Sequence, residues 1–290
     1  MGKHYLGQFE LLNGQILDVE YMRDLFLTHC FREKSNWGIL KDILNIMLKE
    51  YMTRLPSTKA SLIEDIAEVV TQYDYFLGKV DKRTQDAKIT ESSGKKTFVE
   101  FQNRVNTKIP IYVRALQYFA LGHSLGCEGV SNQVWFLAEN DDKVLRGQVF
   151  KNYLLKDEEN WDNYPNPSGI LFISLKRLAR DNSQAGELAA LLLGENPAPT
   201  DDSVKEIADG FKKHFANFKK DKEVESAMTR LEEERVNAES VGEARGLALG
   251  EARKALEIAR VLLEKGIPID VIEVSTGLPR SRIEKLTMLS

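Results

Sequence analysis

The chain has 290 residues, 42% of them hydrophobic and 29% charged, with a net charge of −4. That balance supports a packed core in one large domain with or without a smaller appendage, and it places the chain in the soluble globular class. No apolar run approaches the ~20 residues that cross a bilayer, and the opening MGKHYLGQFELLNG lacks the apolar stretch of a signal peptide, so a cytoplasmic protein without membrane contact is expected.

Cys30 and Cys127 form no CxxC or Cys/His spacing, which suits two thiols packed as small hydrophobes in a reduced compartment. His4, His29, His123 and His214 lie far apart in sequence. Their spacing argues weakly against a zinc site or a histidine-centred triad, since distant residues can still meet in space.

In chain order, apolar residues from Asp18 to Tyr51 recur at helical spacing and predict two helices, divided at Ser35-Asn36-Trp37-Gly38. LIEDIAEVVTQYDYFL at 62–77 is ambiguous between helix and strand, and its second half favours strand. Asp86–Thr90 and Thr97–Gln102 predict a hairpin around the ESSGK turn. Ile109–Leu121 predicts a helix with Pro110 in its first turn, where a missing N–H costs little. Val134–Ala138 and Ile170–Leu175 predict short buried strands. Trp135 is expected in the core, whereas Trp161 and Tyr164 fall in a proline-rich loop. ENPAPTDD at 195–202 reads as a linker by its prolines and acids. Residues 223–265, rich in Glu, Ala, Arg and Leu without a proline, predict one long helix. Two short helices around Gly277-Leu278-Pro279 then resemble a helix-turn-helix, a signal of low specificity, and a small three-helix cap or dimerisation tail is the favoured alternative.

The chemistry concentrates in QDAKITESSGKKTFVEFQ, residues 85–102. In a strand TFVEFQ, side chains alternate, so Glu100 and Gln102 share one face while Val99 and Phe101 share the other. The hairpin brings the Asp86 strand alongside. Two carboxylates held close repel unless a cation joins them, and Mg²⁺ or Mn²⁺, which take oxygen ligands, fit that role. Such an ion polarises a phosphodiester and lowers the pKa of a bound water. Gln102 cannot act as a general base, but it can hold a water or a phosphate. Between Lys79 and Arg114 nine basic residues face four acids. Lys88, Arg104 and Arg114 would then meet DNA phosphates, although lysines also protect a sheet edge from mispairing. Arg114 and Tyr118 lie four apart on one helix face, where Arg114 can contact phosphate or hold Glu100.

Over nearly its whole length the sequence resembles the PD-(D/E)XK nuclease-family transposases, the recombination-promoting nucleases. RDLFLTHCF at 23–31 resembles the opening helix of that family, with Asp24, Leu27 and Phe31 at its marked positions. KDILNIML at 41–48 resembles the next helix, and QDAKIT…TFVEFQ the core motif, with fourteen residues from Asp86 to Glu100. IPIYVRALQYFALGHSLG resembles the helix carrying an arginine and a tyrosine one turn apart. The stretch from Glu243 to Leu286 resembles the glycine-punctuated C-terminal region. The resemblance implies an α/β, restriction-endonuclease-like fold, a mixed central sheet flanked by helices, with an all-helical C-terminal extension. It implies Mg²⁺-dependent cleavage of DNA, with Asp86 and Glu100 as metal carboxylates, Gln102 as the third motif position and Asp24 completing the acidic set. Two departures stand out. Gln85 replaces an apolar residue, which sets Asp86 toward a strand edge. Leu27 replaces phenylalanine. Gln102 stands where the general motif has lysine, as is common in the family, but a neutral amide cannot match lysine in stabilising developing charge.

The expected organisation is a nuclease-like domain over 1–195, a linker and short helix over 196–222, and a helical tail over 223–290 that contacts DNA or forms a homodimer. Two functions compete: a metal-dependent DNA endonuclease, and a catalytically weak or inactive nuclease-fold module that binds DNA or protein.

Overall fold

The computed structural model describes residues 4–58, 60–77, 81–103, 109–124, 131–154, 169–196 and 198–287. The chain packs as two units, Met1–Ser226 and Ala227–Ser290. Trp161, Tyr164, Arg104 and Cys127 lie outside the described residues.

The first unit opens with an antiparallel hairpin, β1 (Gly7–Glu10) and β2 (Ile16–Val19). Helical spacing predicts helix from Asp18, but residues 16–19 are strand, with Val19 turned inward and Ile16 and Asp18 outward. Helix begins at α1 (Asp24–Arg32), and a 3-10 turn at Lys34–Asn36 leads into α2 (Trp37–Arg54), close to the expected break. Cys30 is fully buried, and burial with the nearby Glu33 carboxylate pushes its thiol up to about 12.

The centre is a six-stranded mixed sheet built from β3 (Glu68–Leu77), β4 (Asp81–Thr90), β5 (Lys96–Gln102), β6 (Ser131–Leu137), β7 (Phe150–Leu154) and β8 (Gly169–Ser174), in the order β3-β4-β5-β6-β8-β7. β3, β4 and β5 pair antiparallel, β5, β6 and β8 pair parallel, and β7 closes the edge antiparallel to β8. The expected hairpin turn is present: Gly94, at φ 84°, donates to the Glu91 carbonyl at 2.8 Å. A side chain would be strained in that left-handed conformation. Parallel strands need a crossover, and α3 (Ile111–Ser124) supplies it between β5 and β6.

Both faces of the central strands are covered, as parallel sheets require. On one face Phe98, Trp135 and Phe172 pack with Ile111, Ala115 and Tyr118 of α3. On the other, Phe101 stacks on Phe136 at 4.8 Å and on Phe31 of α1 at 6.2 Å. After α4 (Asp142–Leu145), α5 (Leu175–Leu178) and α6 (Gln184–Leu192) comes α7 (Asp202–Phe218). Residues 196–222, expected as a linker and short helix, thus contribute a seventeen-residue helix to the first unit. The Asp201 side chain caps it by accepting from Val204 N at 3.1 Å. Its Phe211, Phe215 and Phe218 surround Phe26 of α1 at 5.4–6.1 Å between ring centres.

α8 (Lys222–Glu264) runs into the second unit and is followed by α9 (Ile269–Thr276) and α10 (Arg280–Thr287). Ala259, Ile272, Leu278 and Ile283 form a small core that packs both short helices against the end of α8. Gly277 ends α9 at φ 68°. Among the described residues, no helix is long and apolar enough to cross a membrane.

Candidate metal and phosphate site

β4 and β5 pair with Ala87 opposite Val99, so the same register sets Asp86 opposite Glu100. There the side chains take over from the ladder. Asp86 Oδ2 accepts from Phe101 N at 2.7 Å, and Glu100 Oε2 accepts from Asp86 N at 3.4 Å. The other neighbour of Asp86 is also irregular. The β3–β4 register is the same on both sides, Thr71–Ala87 and Tyr73–Gln85, but the Gln72–Asp86 pair between them is skipped, and Gln72 has φ 51°. A non-glycine residue in that region stores strain, which in folded proteins gathers at functional sites. Asp86 lies inside a central strand, not at the strand edge that Gln85 suggests.

Glu100 is only 4% exposed, because its face of β5 is the one that α3 covers. A buried carboxylate needs a partner. Arg114, in the first turn of α3, donates from one terminal nitrogen to Glu100 Oε1 and from the other to Gln102 Oε1, both at 2.7 Å. Of the two roles open to Arg114, the structure shows it holding Glu100. The contact also confirms that Glu100 and Gln102 point the same way. The guanidinium lies 5.6 Å from the Trp135 ring and 5.8 Å from the Tyr118 ring. Burial opposes its charge, but hydrogen bonding to Tyr118 and the Glu100 carboxylate outweigh this and raise its pKa. Burial, reinforced by Glu100, pushes the Tyr118 phenol up.

Asp86, Glu100, Gln102 and Arg114 are therefore brought together. Asp24 opens α1, and its side chain lies outside the described residues. Lys88 sits two residues along β4 from Asp86, with its ammonium 4.0 Å from Glu68. Trp135 is fully buried, as expected. The donor set of Asp86, Glu100 and Gln102 is all oxygen and suits a hard divalent cation. Arg114 occupies one oxygen of Glu100 and the amide oxygen of Gln102, so a cation would draw on Asp86 and the second oxygen of Glu100.

A second group was hidden by sequence distance. His29 of α1 and His214 of α7 meet, Nδ1 to Nε2, at 2.8 Å. With Glu33 they place one ligand atom each within 4.8 Å of one another, a grouping that could hold a metal ion. The wide spacing of the histidines gives no sign of this grouping. A histidine in α1 at the helical phase of Phe26 was the available signal, but nothing local points to its partner in α7. Comparison of the chain with protein-family models, with curated proteins and with solved structures finds no match.

Proposed function

We propose that the chain is a divalent-metal-dependent DNA endonuclease with a restriction-endonuclease-like core, whose working residues are Asp86, Glu100 and Gln102. The observation that supports it is the direct opposition of Asp86 and Glu100 where the β4–β5 ladder gives way to side-chain contacts. Mg²⁺ or Mn²⁺ held there by Asp86 and Glu100 supplies Lewis-acid polarisation of a phosphodiester and a more acidic bound water.

The chain's own residues do the positioning. The Phe101 amide fixes the Asp86 carboxylate, and Arg114 fixes that of Glu100. The Gln102 amide oxygen accepts from Arg114, which fixes the orientation of the amide. Asp24 completes the acidic set from α1, and Lys88 and Arg104 offset the charge of the DNA backbone. The Arg114 contact specifically favours a second reading, a nuclease-fold module that binds DNA or protein without cutting, since it neutralises the carboxylate that a cation needs.

Plasmid nicking with Mg²⁺ or Mn²⁺ separates the two. Wild type should nick only with metal, and Glu100→Ala should not nick at all. Equal cutting by both proteins removes Glu100 from the site, and no cutting by wild type leaves the binding module.

A further inference from the structure

The contacts around the two histidines fix where their protons sit. Asn36 Nδ2 donates to the Cys30 carbonyl at 3.0 Å, so its amide meets His214 Nδ1, also at 3.0 Å, as a donor. His214 Nδ1 then carries a lone pair and its Nε2 the proton, which points to His29 Nδ1 at 2.8 Å. His29 in turn carries its proton on Nε2, 3.1 Å from Asp221 Oδ2. Both rings are therefore neutral, the form that ligates metal.

We propose that His29, His214 and Glu33 bind a zinc-class divalent ion between α1 and α7, a site separate from the Asp86–Glu100 pair. Two imidazoles and one carboxylate select a borderline transition metal over Mg²⁺. Zinc bonds of about 2.0–2.1 Å in a tetrahedron put ligand atoms roughly 3.3 Å apart. Here His29 Nδ1 and His214 Nε2 are 2.8 Å apart, and one ligand atom from each of His29, His214 and Glu33 lies within 4.8 Å of the others. Seating the ion parts the two rings slightly and swings the exposed Glu33 side chain in toward the two inner nitrogens.

Proton balance costs one tautomer change. His29 Nδ1 already offers its lone pair, and Asp221 on the opposite nitrogen is the outer carboxylate that commonly orients a metal-bound histidine. His214 moves its proton from Nε2 to Nδ1, where the Asn36 amide turns its oxygen to accept it and gives up its hydrogen bond to the Cys30 carbonyl. No net proton is released. His214 is buried while Glu33 is 44% exposed, so the ion enters from the Glu33 side and keeps a fourth position for water.

Full-length protein stripped with a chelator should take up one equivalent of Zn²⁺ in calorimetry and give the visible absorption of four-coordinate Co²⁺. Glu33→Gln and His29→Asn should each weaken binding by more than tenfold, and Asp221→Asn by about 10–100-fold. Glu100→Gln should leave it unchanged, which keeps the outcome independent of the nuclease reading. Should His29→Asn fail to fold, the exposed Glu33→Gln decides alone. Absence of saturable Zn²⁺ binding in wild type, or undiminished affinity in Glu33→Gln, overturns the site and leaves a hydrogen-bonded histidine pair.

Discussion

The Arg114 guanidinium spans Glu100 and Gln102, 2.7 Å from an oxygen of each, and so ties α3 to the end of β5. Removing it strands a carboxylate whose side chain is only 6% exposed. Arg114→Met should cost about 3 kcal/mol, the low end for breaking a buried pair, because Arg114 itself keeps some contact with water. Arg114→Lys should cost less, since it keeps the charge on Glu100 but cannot bridge to Gln102. Urea denaturation near neutral pH measures both.

Where the chain is cut decides whether the first unit survives. Ending it at residue 195 removes Phe211, Phe215 and Phe218 from around Phe26. At about 3–5 kcal/mol for each buried phenylalanine, the loss is comparable to the whole stability of a domain, roughly 5–15 kcal/mol. A chain ending at 195 should be unfolded by circular dichroism, whereas one ending at 226 should melt cooperatively.

That contrast marks where the sequence is legible. The ESSGK hairpin, the buried strands around Trp135 and Phe172, and the long tail helix announce themselves through local period and turn chemistry. The opposition of Asp86 and Glu100 follows from the hairpin register. α7 is masked by the prolines and acids before it, which resemble a linker until Asp201 is seen to cap a helix. β1 and β2 are only four residues each, too short for alternation to outweigh the helical spacing that follows. The contact of His29 with His214 spans 185 residues, and no local pattern encodes it.

Acid should weaken the junction ahead of α7. Hydrogen bonds from the amides of Asp201 and Thr200 and from the Thr200 hydroxyl hold Glu187 below its ordinary carboxylate range. A depressed native pKa means the unfolded chain binds the proton more readily, so this stability is present above about pH 4.5 and is lost as pH falls through the native value. Glu187→Gln should therefore lower the melting temperature near neutrality and flatten its decline below about pH 4.5.

The exposed middle of α8 should tolerate stiffening. A Cβ at Gly246 would meet nothing within 4 Å, so the glycine only costs backbone entropy there. Gly246→Ala should stabilise the helix by up to about 1 kcal/mol, visible as higher far-ultraviolet helicity on heating. A loss of stability would show that this surface is covered in solution.

The convergence of Asp86 and Glu100 on a divalent ion is tested most directly by Mn²⁺ calorimetry on wild type, Asp86→Asn and Glu33→Gln. Saturable binding should appear in wild type and Glu33→Gln and vanish in a folded Asp86→Asn. Binding that persists unchanged in Asp86→Asn, or that is missing from wild type, would contradict a metal centre at the Asp86–Glu100 pair.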